Sequence, residues 1–274
     1  MLIEDINPII VSLGPIAIRW YGLMMAISFI LGGYYFVKNG TRQGLAEDSL
    51  LTLLLVVLIG GIVGARAVYV LTNLPAYLNS PMEIVRIDRG GLSFHGALLG
   101  GLLAARLFAG RHRLDLRRAM DLAVPGLAIG YMLVRIANIF NQEILGRPAE
   151  LFFFERHPAQ IYGSLIGLFS LLLHNYLARK HPGRPGMLFW AFIFYYSLLR
   201  GAVEETFRAN PLVLWGYIND AWGAGFFTMT QVATPFILLL AWWMMIQAAR
   251  GKKQEAGGKK QEAGGKKQEA GGER

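Results

Sequence analysis

The chain has 274 residues, 54% of them hydrophobic and only 16% charged, with a formal charge of +9 and no cysteine. A soluble domain carries about a quarter charged residues, so this composition argues against a cytosolic enzyme and against a disordered chain. The absence of cysteine excludes a disulfide framework, a thiolate metal site and a cysteine nucleophile of the chain's own.

A bilayer core of about 30 Å needs about 20 mostly apolar helical residues. Seven stretches meet that need, near 17–37, 49–71, 94–110, 119–140, 158–178, 186–204 and 226–249. No Lys or Arg precedes Arg19, so the first stretch reads as a retained span rather than a cleaved signal peptide. The expected fold class is an all-α polytopic membrane protein of about seven transmembrane helices. Residues 1–249 would form the membrane domain. The longest connections, 72–93, 141–157 and 205–225, are too short for a soluble catalytic domain.

Basic residues set the expected orientation. Connections after spans one, three and five hold Lys38, Arg42, Arg106, Arg111, Arg113, Arg117, Arg118, Arg179, Lys180 and Arg184, whereas the alternate ones hold Arg86, Arg89, Arg147, Arg156 and Arg208. The positive-inside rule then puts the N-terminus outside, the C-terminus in the cytoplasm and the small alternate loops on the periplasmic side. Residues 250–274 repeat Lys-Lys-Gln-Glu-Ala-Gly-Gly with no large apolar residue at any repeat position. They read as a flexible, solvated, basic tail rather than a coiled coil. The positive charge is thus topogenic and does not mark a nucleic-acid binder.

Ionisable residues within spans are costly and mark candidate sites. Arg106, Asp121 and His174 lie near cytoplasmic ends, where they can reach the interface. The others gather at the opposite leaflet: Arg19 and Tyr21 on span one, Arg66 on span two, His95 on span three. Arg135, Asn138 and Asn141 end span four; His157, Gln160 and Tyr162 open span five; Arg200 and Glu204 end span six; Gln231 opens span seven. Arg135 and Asn138 share a helix face at i,i+3, continued by Asn141, and Arg200 and Glu204 stand at the i,i+4 pairing distance. Arg135 has no acid at i±3 or i±4, so its expected partner is an anion from elsewhere, and a lipid phosphate suits a guanidinium fork. Gly90-Gly91 before Ser93-Phe94-His95 suggests a tight re-entry that brings backbone close to a ligand. Gly96 and Gly100 form a small-xxx-small pair suited to close helix packing.

Five blocks carry a family resemblance. They are Arg19-Trp20-Tyr21-Gly22-Leu23-Met24, the glycine-rich run 90–101, and Arg135-Ile136-Ala137-Asn138-Ile139-Phe140-Asn141-Gln142-Glu143-Ile144-Leu145-Gly146-Arg147. The last two are Arg156-His157-Pro158-Ala159-Gln160-Ile161-Tyr162 and the stretch 200–204. In this order they resemble prolipoprotein diacylglyceryl transferase, a bacterial inner-membrane enzyme. The resemblance implies transfer of the diacylglyceryl group of phosphatidylglycerol to the lipobox cysteine thiol of a preprolipoprotein signal peptide. A thioether forms and glycerol-1-phosphate leaves. It further implies functional positions at Tyr21, His95, Arg135, Asn138, Glu143, Gly146, Arg200 and Glu204, with Asn141 added by its place in the Arg135–Asn138 row.

Three departures stand out. Ala137 replaces a usual glycine, Gly163 replaces a usual glutamate after Tyr162, and the segment from Arg200 to Arg208 is one residue longer than usual. Glu204 therefore fits by its spacing from Arg200, whereas Glu205 fits by its spacing to Arg208; Glu204 is preferred.

The chemistry requires a base for the thiol, cations for the departing phosphate and lateral access for two acyl chains. Arg135 and Arg200 are the candidate phosphate clamp, and Asn138 and Glu143 would orient the headgroup. His95 is the candidate base, with Tyr21 as rival. No cofactor or metal is expected. A retinal protein would need a lysine in a late span, and the lysines lie only at 38, 180 and in the tail. A transporter would show repeat symmetry and midplane polar groups. A membrane transporter and a non-catalytic lipid-binding protein are the remaining alternatives.

Overall fold

The computed structural model describes residues 7–13, 16–78, 80–87, 90–151, 154–180, 182–210 and 213–271. Arg89, counted among the loop arginines, and tail residues 272–274 lie outside them. The long helices are α1 (Trp20–Arg42), α2 (Glu47–Thr72), α4 (Phe94–Arg111), α5 (Leu116–Phe140), α6 (Ala159–Lys180), α7 (Met187–Leu199) and α9 (Met229–Gly271); α3 (Leu74–Leu78) and α8 (Glu205–Phe207) are short. Among the described residues, five helices are long and apolar enough to cross a membrane: α1, α2, α5, α6 and the 229–250 part of α9. Many of their large apolar side chains face outward, such as Ile30, Leu55, Leu172 and Phe236. A water-soluble protein does not tolerate so broad an apolar surface.

The third and sixth expected spans are helical but fall outside that set. His95, Arg106 and Arg111 dilute the apolar content of α4, and α7 ends as an α-helix at Leu199. A π-turn, Arg200–Glu204, follows directly and passes into α8, so the helical path continues.

The all-α expectation holds at the level of class, with short strands beside the helices. Among the described residues, three antiparallel hairpins precede or join the helices: β1 (Ile9–Leu13) with β2 (Ile16–Arg19), β3 (Pro148–Leu151) with β4 (Phe154–Arg156), and β5 (Val213–Asn219) with β6 (Ala224–Thr228). The first span therefore begins at Trp20. Arg19 pairs with Ile9 at a strand end instead of opening the helix. The alternation of Ile16 and Ile18, following Gly14-Pro15, is a hairpin pattern. At the C-terminus, α9 is helical to Gly271. Lys, Gln, Glu and Ala are good helix formers.

The chain divides into two compact units. Unit one comprises Met1–Gly32 and Ala123–Arg274, and unit two comprises Gly33–Leu122. Unit two is organised by a glycine seam between α2 and α4. A Cβ at Gly96 or Gly100 would fall on the carbonyl oxygen of Gly64 or Gly60, and one at Gly64 would lie 2.8 Å from the Gly100 Cα. The backbones touch, as the small-xxx-small pair predicts. Arg66 satisfies its charge on backbone: Nε donates to Ile84 O at 2.8 Å, Nη1 to Gly90 O and Gly91 O at 2.9 Å, and Nη2 to Glu83 O. Gly90 and Gly91 have φ of +83° and +77°. Their conformational freedom brings this backbone onto Arg66.

In unit one, small residues again set the helix contacts. Cβ atoms added at Gly32 of α1 and Gly126 of α5 would each lie 2.9 Å from the other's Cα. One at Gly167 of α6 would lie 2.8 Å from Met132 N of α5, and one at Gly201 would lie 2.6 Å from Thr234 Oγ1 of α9. Thr228 and Gln231 form a reciprocal box at the start of α9: Thr228 N donates to Gln231 Oε1 at 3.1 Å and Gln231 N to Thr228 Oγ1 at 3.2 Å.

Candidate active site

Helix α5 carries Tyr131, Arg135 and Asn138 at i, i+4 and i+7, which stacks them on one face. Arg135 is 8% exposed and Asn138 2%. A buried guanidinium needs a carboxylate, and it comes from the other end of unit one. Arg135 Nη2 meets Glu204 Oε1 at 2.8 Å and Arg135 Nε meets Glu204 Oε2 at 3.2 Å, a two-pronged pair. The Tyr131 hydroxyl donates to Glu204 Oε2 and accepts from Arg135 Nη2 at 3.1 Å, and the Arg135 guanidinium carbon lies 4.5 Å from the Tyr131 ring centre. Asn138, with its amide oriented by its neighbours, accepts from Arg135 Nη1 at 3.1 Å and donates to Glu143 Oε2 at 3.3 Å. One continuous network thus joins Glu143, Asn138, Arg135, Tyr131 and Glu204.

This overturns two expectations. Arg135 is not an arginine without a protein counter-ion, and Glu204 is not the partner of Arg200. The π-turn is the cause. The Glu205 N–H reaches back to Arg200 O, one residue further than in an α-helix. The residue facing Arg200 then becomes i+5. Arg200 Nη2 meets Glu205 Oε1 at 3.1 Å, Arg208 Nη1 meets the same oxygen at 3.2 Å, and Asn210 Nδ2 donates to Glu205 Oε2 at 2.7 Å. Both glutamates are fully buried, whereas the Arg200 side chain retains 28% exposure.

The loop after α5 is fastened to the segment after α8. Arg147 N donates to Phe207 O at 2.8 Å, Ala209 N to Leu145 O at 2.9 Å and His157 N to Arg147 O at 3.0 Å, and Gly146 bridges Arg208. Gly146 lies so close to the His157 carbonyl that a Cβ there would collide with it, so no other residue fits. The turn holds Gln142 and Ile144 at φ +55° and +58°. Such left-handed backbone in non-glycine residues is costly and collects at functional sites. Gln160 Nε2 anchors the loop through Glu143 O at 2.9 Å, and His157 bonds Trp222 O through Nε2 at 2.9 Å and Tyr162 through Nδ1 at 3.2 Å. Gln231 Nε2 ties Thr206 Oγ1 at 3.0 Å to Gly201 O at 3.2 Å.

Seven of the expected site residues, Arg135, Asn138, Asn141, Glu143, Gly146, Arg200 and Glu204, thus lie in or beside this cluster. Asn141 follows it, its N–H on Ala137 O at 3.1 Å. Tyr21 belongs to the same unit and is half-buried. The preceding Trp20 stacks on Phe140 at 4.6 Å between ring centres. His95 belongs to unit two, exposed in the first turn of α4, where Ser93 caps the helix by accepting from Gly96 N at 3.3 Å. Sequence reasoning missed Tyr131, Arg208 and Asn210 as network members. Tyr131 was signalled by its i,i+4 spacing to Arg135. The spacing of Glu205 to Arg208 was visible in the sequence, but nothing local signalled Arg200 or Asn210, each five residues away, as its partners.

The model of the prolipoprotein diacylglyceryl transferase family matches residues 8–247. A phosphatidylglycerol–prolipoprotein diacylglyceryl transferase of Caldanaerobacter subterraneus subsp. tengcongensis is 51% identical over 89% of this chain and 95% of its own length. Proteins of the same name from Thermus thermophilus and Rickettsia conorii are 36% and 34% identical, over 88% and 90% of this chain and 98% and 99% of their own lengths. The chain belongs to the prolipoprotein diacylglyceryl transferase family.

Proposed function

We propose that the chain transfers the diacylglyceryl group of phosphatidylglycerol to the lipobox cysteine thiol of a preprolipoprotein. Family membership and the relatives' shared name support the activity. The observation that carries it to the site is one of charge. Three arginines, Arg135, Arg200 and Arg208, pair with two fully buried carboxylates, Glu204 and Glu205. The cluster keeps positive charge for a lipid phosphate.

The reaction is a displacement. The peptide sulfur forms a bond to the glyceryl carbon, that carbon's bond to phosphate oxygen breaks, and the electron pair leaves on glycerol-1-phosphate. The thiol proton passes to a base, which we assign to His95, with Tyr21 as the alternative. A free thiol of pKa about 8.5 is mostly protonated near neutrality, so the base raises the nucleophile's concentration. Arg200, partly exposed, meets the phosphate directly. Arg135 offers its Nη1 edge beside Asn138 and Glu143, which position the headgroup glycerol. Developing charge on the leaving phosphate is stabilised by groups already in place.

We assign the protein to the bacterial inner membrane with seven spans, α4 and the 187–207 helical segment adding to the five helices that are long and apolar enough to cross a membrane. The N-terminus lies outside, the C-terminus in the cytoplasm and the site towards the outer leaflet. Purified protein incubated with labelled phosphatidylglycerol and a lipobox peptide will yield a thioether-linked product, and a Cys→Ser peptide none. Absence of product with the cysteine peptide overturns the assignment.

A further inference from the structure

The π-turn at Arg200–Glu204 separates two consecutive glutamates. Without it, Glu204 would face Arg200 from one α-helical turn away. With it, Glu205 serves Arg200 and Arg208, and Glu204 is released to reach Arg135. The place it reaches is shaped for it. A Cβ added at Gly163 of α6 would lie 2.6 Å from Glu204 Oε2 and 2.8 Å from Arg135 Cγ and Cδ. The missing side chain at 163 is therefore the space the Glu204 carboxylate occupies. The extra residue after Arg200 and the glycine after Tyr162, both departures in the sequence, meet at one arginine.

We infer that Glu204 is a positioning residue, not a catalytic one: inserted by the π-turn and admitted by Gly163, it holds the Arg135 guanidinium side-on so that its Nη1 edge faces the reacting phosphate. Its oxygens are taken up by Arg135 and Tyr131. It is fully buried, so it acts on the substrate through Arg135. This role rests on the transferase reading above.

The carboxylate's origin can be moved. Glu204→Ala removes it, and Gly163→Glu alone places a second acid against the first. Gly163→Glu combined with Glu204→Ala returns one carboxylate to Arg135 from α6. The kcat and KM for phosphatidylglycerol are measured for each variant in nanodiscs, alongside thermal melting. Each single variant is expected to lose about 10²-fold in kcat, the scale of misplacing a catalytic contact by about 1 Å, and the double variant to regain at least about 10-fold of it. Glu204→Gln keeps the volume and the Tyr131 contact, so it is expected to remain folded with a lowered melting temperature and to lower kcat with little change in KM. An active wild type whose double variant melts normally yet regains nothing, or a folded Glu204→Gln with wild-type kcat, overturns the positioning role alone. A wild type without transfer overturns the transferase reading itself.

Discussion

Arg135 and Glu204, 69 residues apart in sequence, form a two-pronged ion pair with contacts of 2.8 and 3.2 Å. The pair fixes the end of α5 against the π-turn, which places the Asn138–Glu143 limb of the network and the Arg200–Glu205–Arg208 limb side by side.

That geometry requires a guanidinium. An ammonium at position 135 cannot bridge both Glu204 oxygens, Tyr131 and Asn138 from a plane. Arg135→Lys is expected to lower transfer of labelled diacylglyceryl by about 10²-fold, the range for removing one oriented charge stabiliser. Near-wild-type transfer by this variant would remove Arg135 from the phosphate clamp.

Glu205 is the hub of the second limb, fully buried and holding Arg200, Arg208 and Asn210. Removing one partner of a buried pair leaves the other charges uncompensated. Glu205→Gln is expected to destabilise the protein by about 3–5 kcal/mol, read as a lowered melting temperature in detergent. A variant that melts with the wild type would show that the arginines find other partners.

The apolar spans were legible because each buries or exposes a helix-length run of aliphatic residues. The gathering of Arg135, Asn138, Glu143, Gly146 and Arg200 was legible from motif and from their places at the ends of apolar stretches. The pairing was not. Arg200 and Glu204 stand at i,i+4, and only a π hydrogen bond, which no residue in Arg200-Gly201-Ala202-Val203-Glu204 advertises, moves the contact to Glu205. The three hairpins were missed because strands of 3 to 7 residues carry too few alternations to stand out beside long helices. Arg66 was legible as a buried charge but not as a loop anchor, since its acceptors are backbone carbonyls 17 to 25 residues away.

The glycine seam of unit two predicts a stability effect separate from the chemistry. A methyl at Gly100 would fall on the Gly60 carbonyl and push α2 from α4. Gly100→Ala is expected to cost about 1–3 kcal/mol. Gly110, whose added Cβ meets nothing within 4 Å, is the control and should accept alanine without a change in melting temperature. Equal melting of both variants would contradict the close packing.

The base assignment separates from the clamp by variant and pH. His95 opens α4 on an exposed turn, with its ring 5.9 Å from that of Phe94. His95→Gln is expected to abolish turnover near neutrality while leaving phosphatidylglycerol binding measurable, because the phosphate contacts are assigned to arginines. Raising the pH increases the thiolate fraction of the peptide, whose ordinary pKa is about 8.5. The variant should therefore recover part of its rate at alkaline pH, where an external base replaces the side chain. An arginine-clamp variant should gain much less, since the charge on its leaving phosphate remains unstabilised. Unchanged turnover of His95→Gln at neutral pH would transfer the base role to Tyr21, with Tyr21→Phe as the next variant to assay.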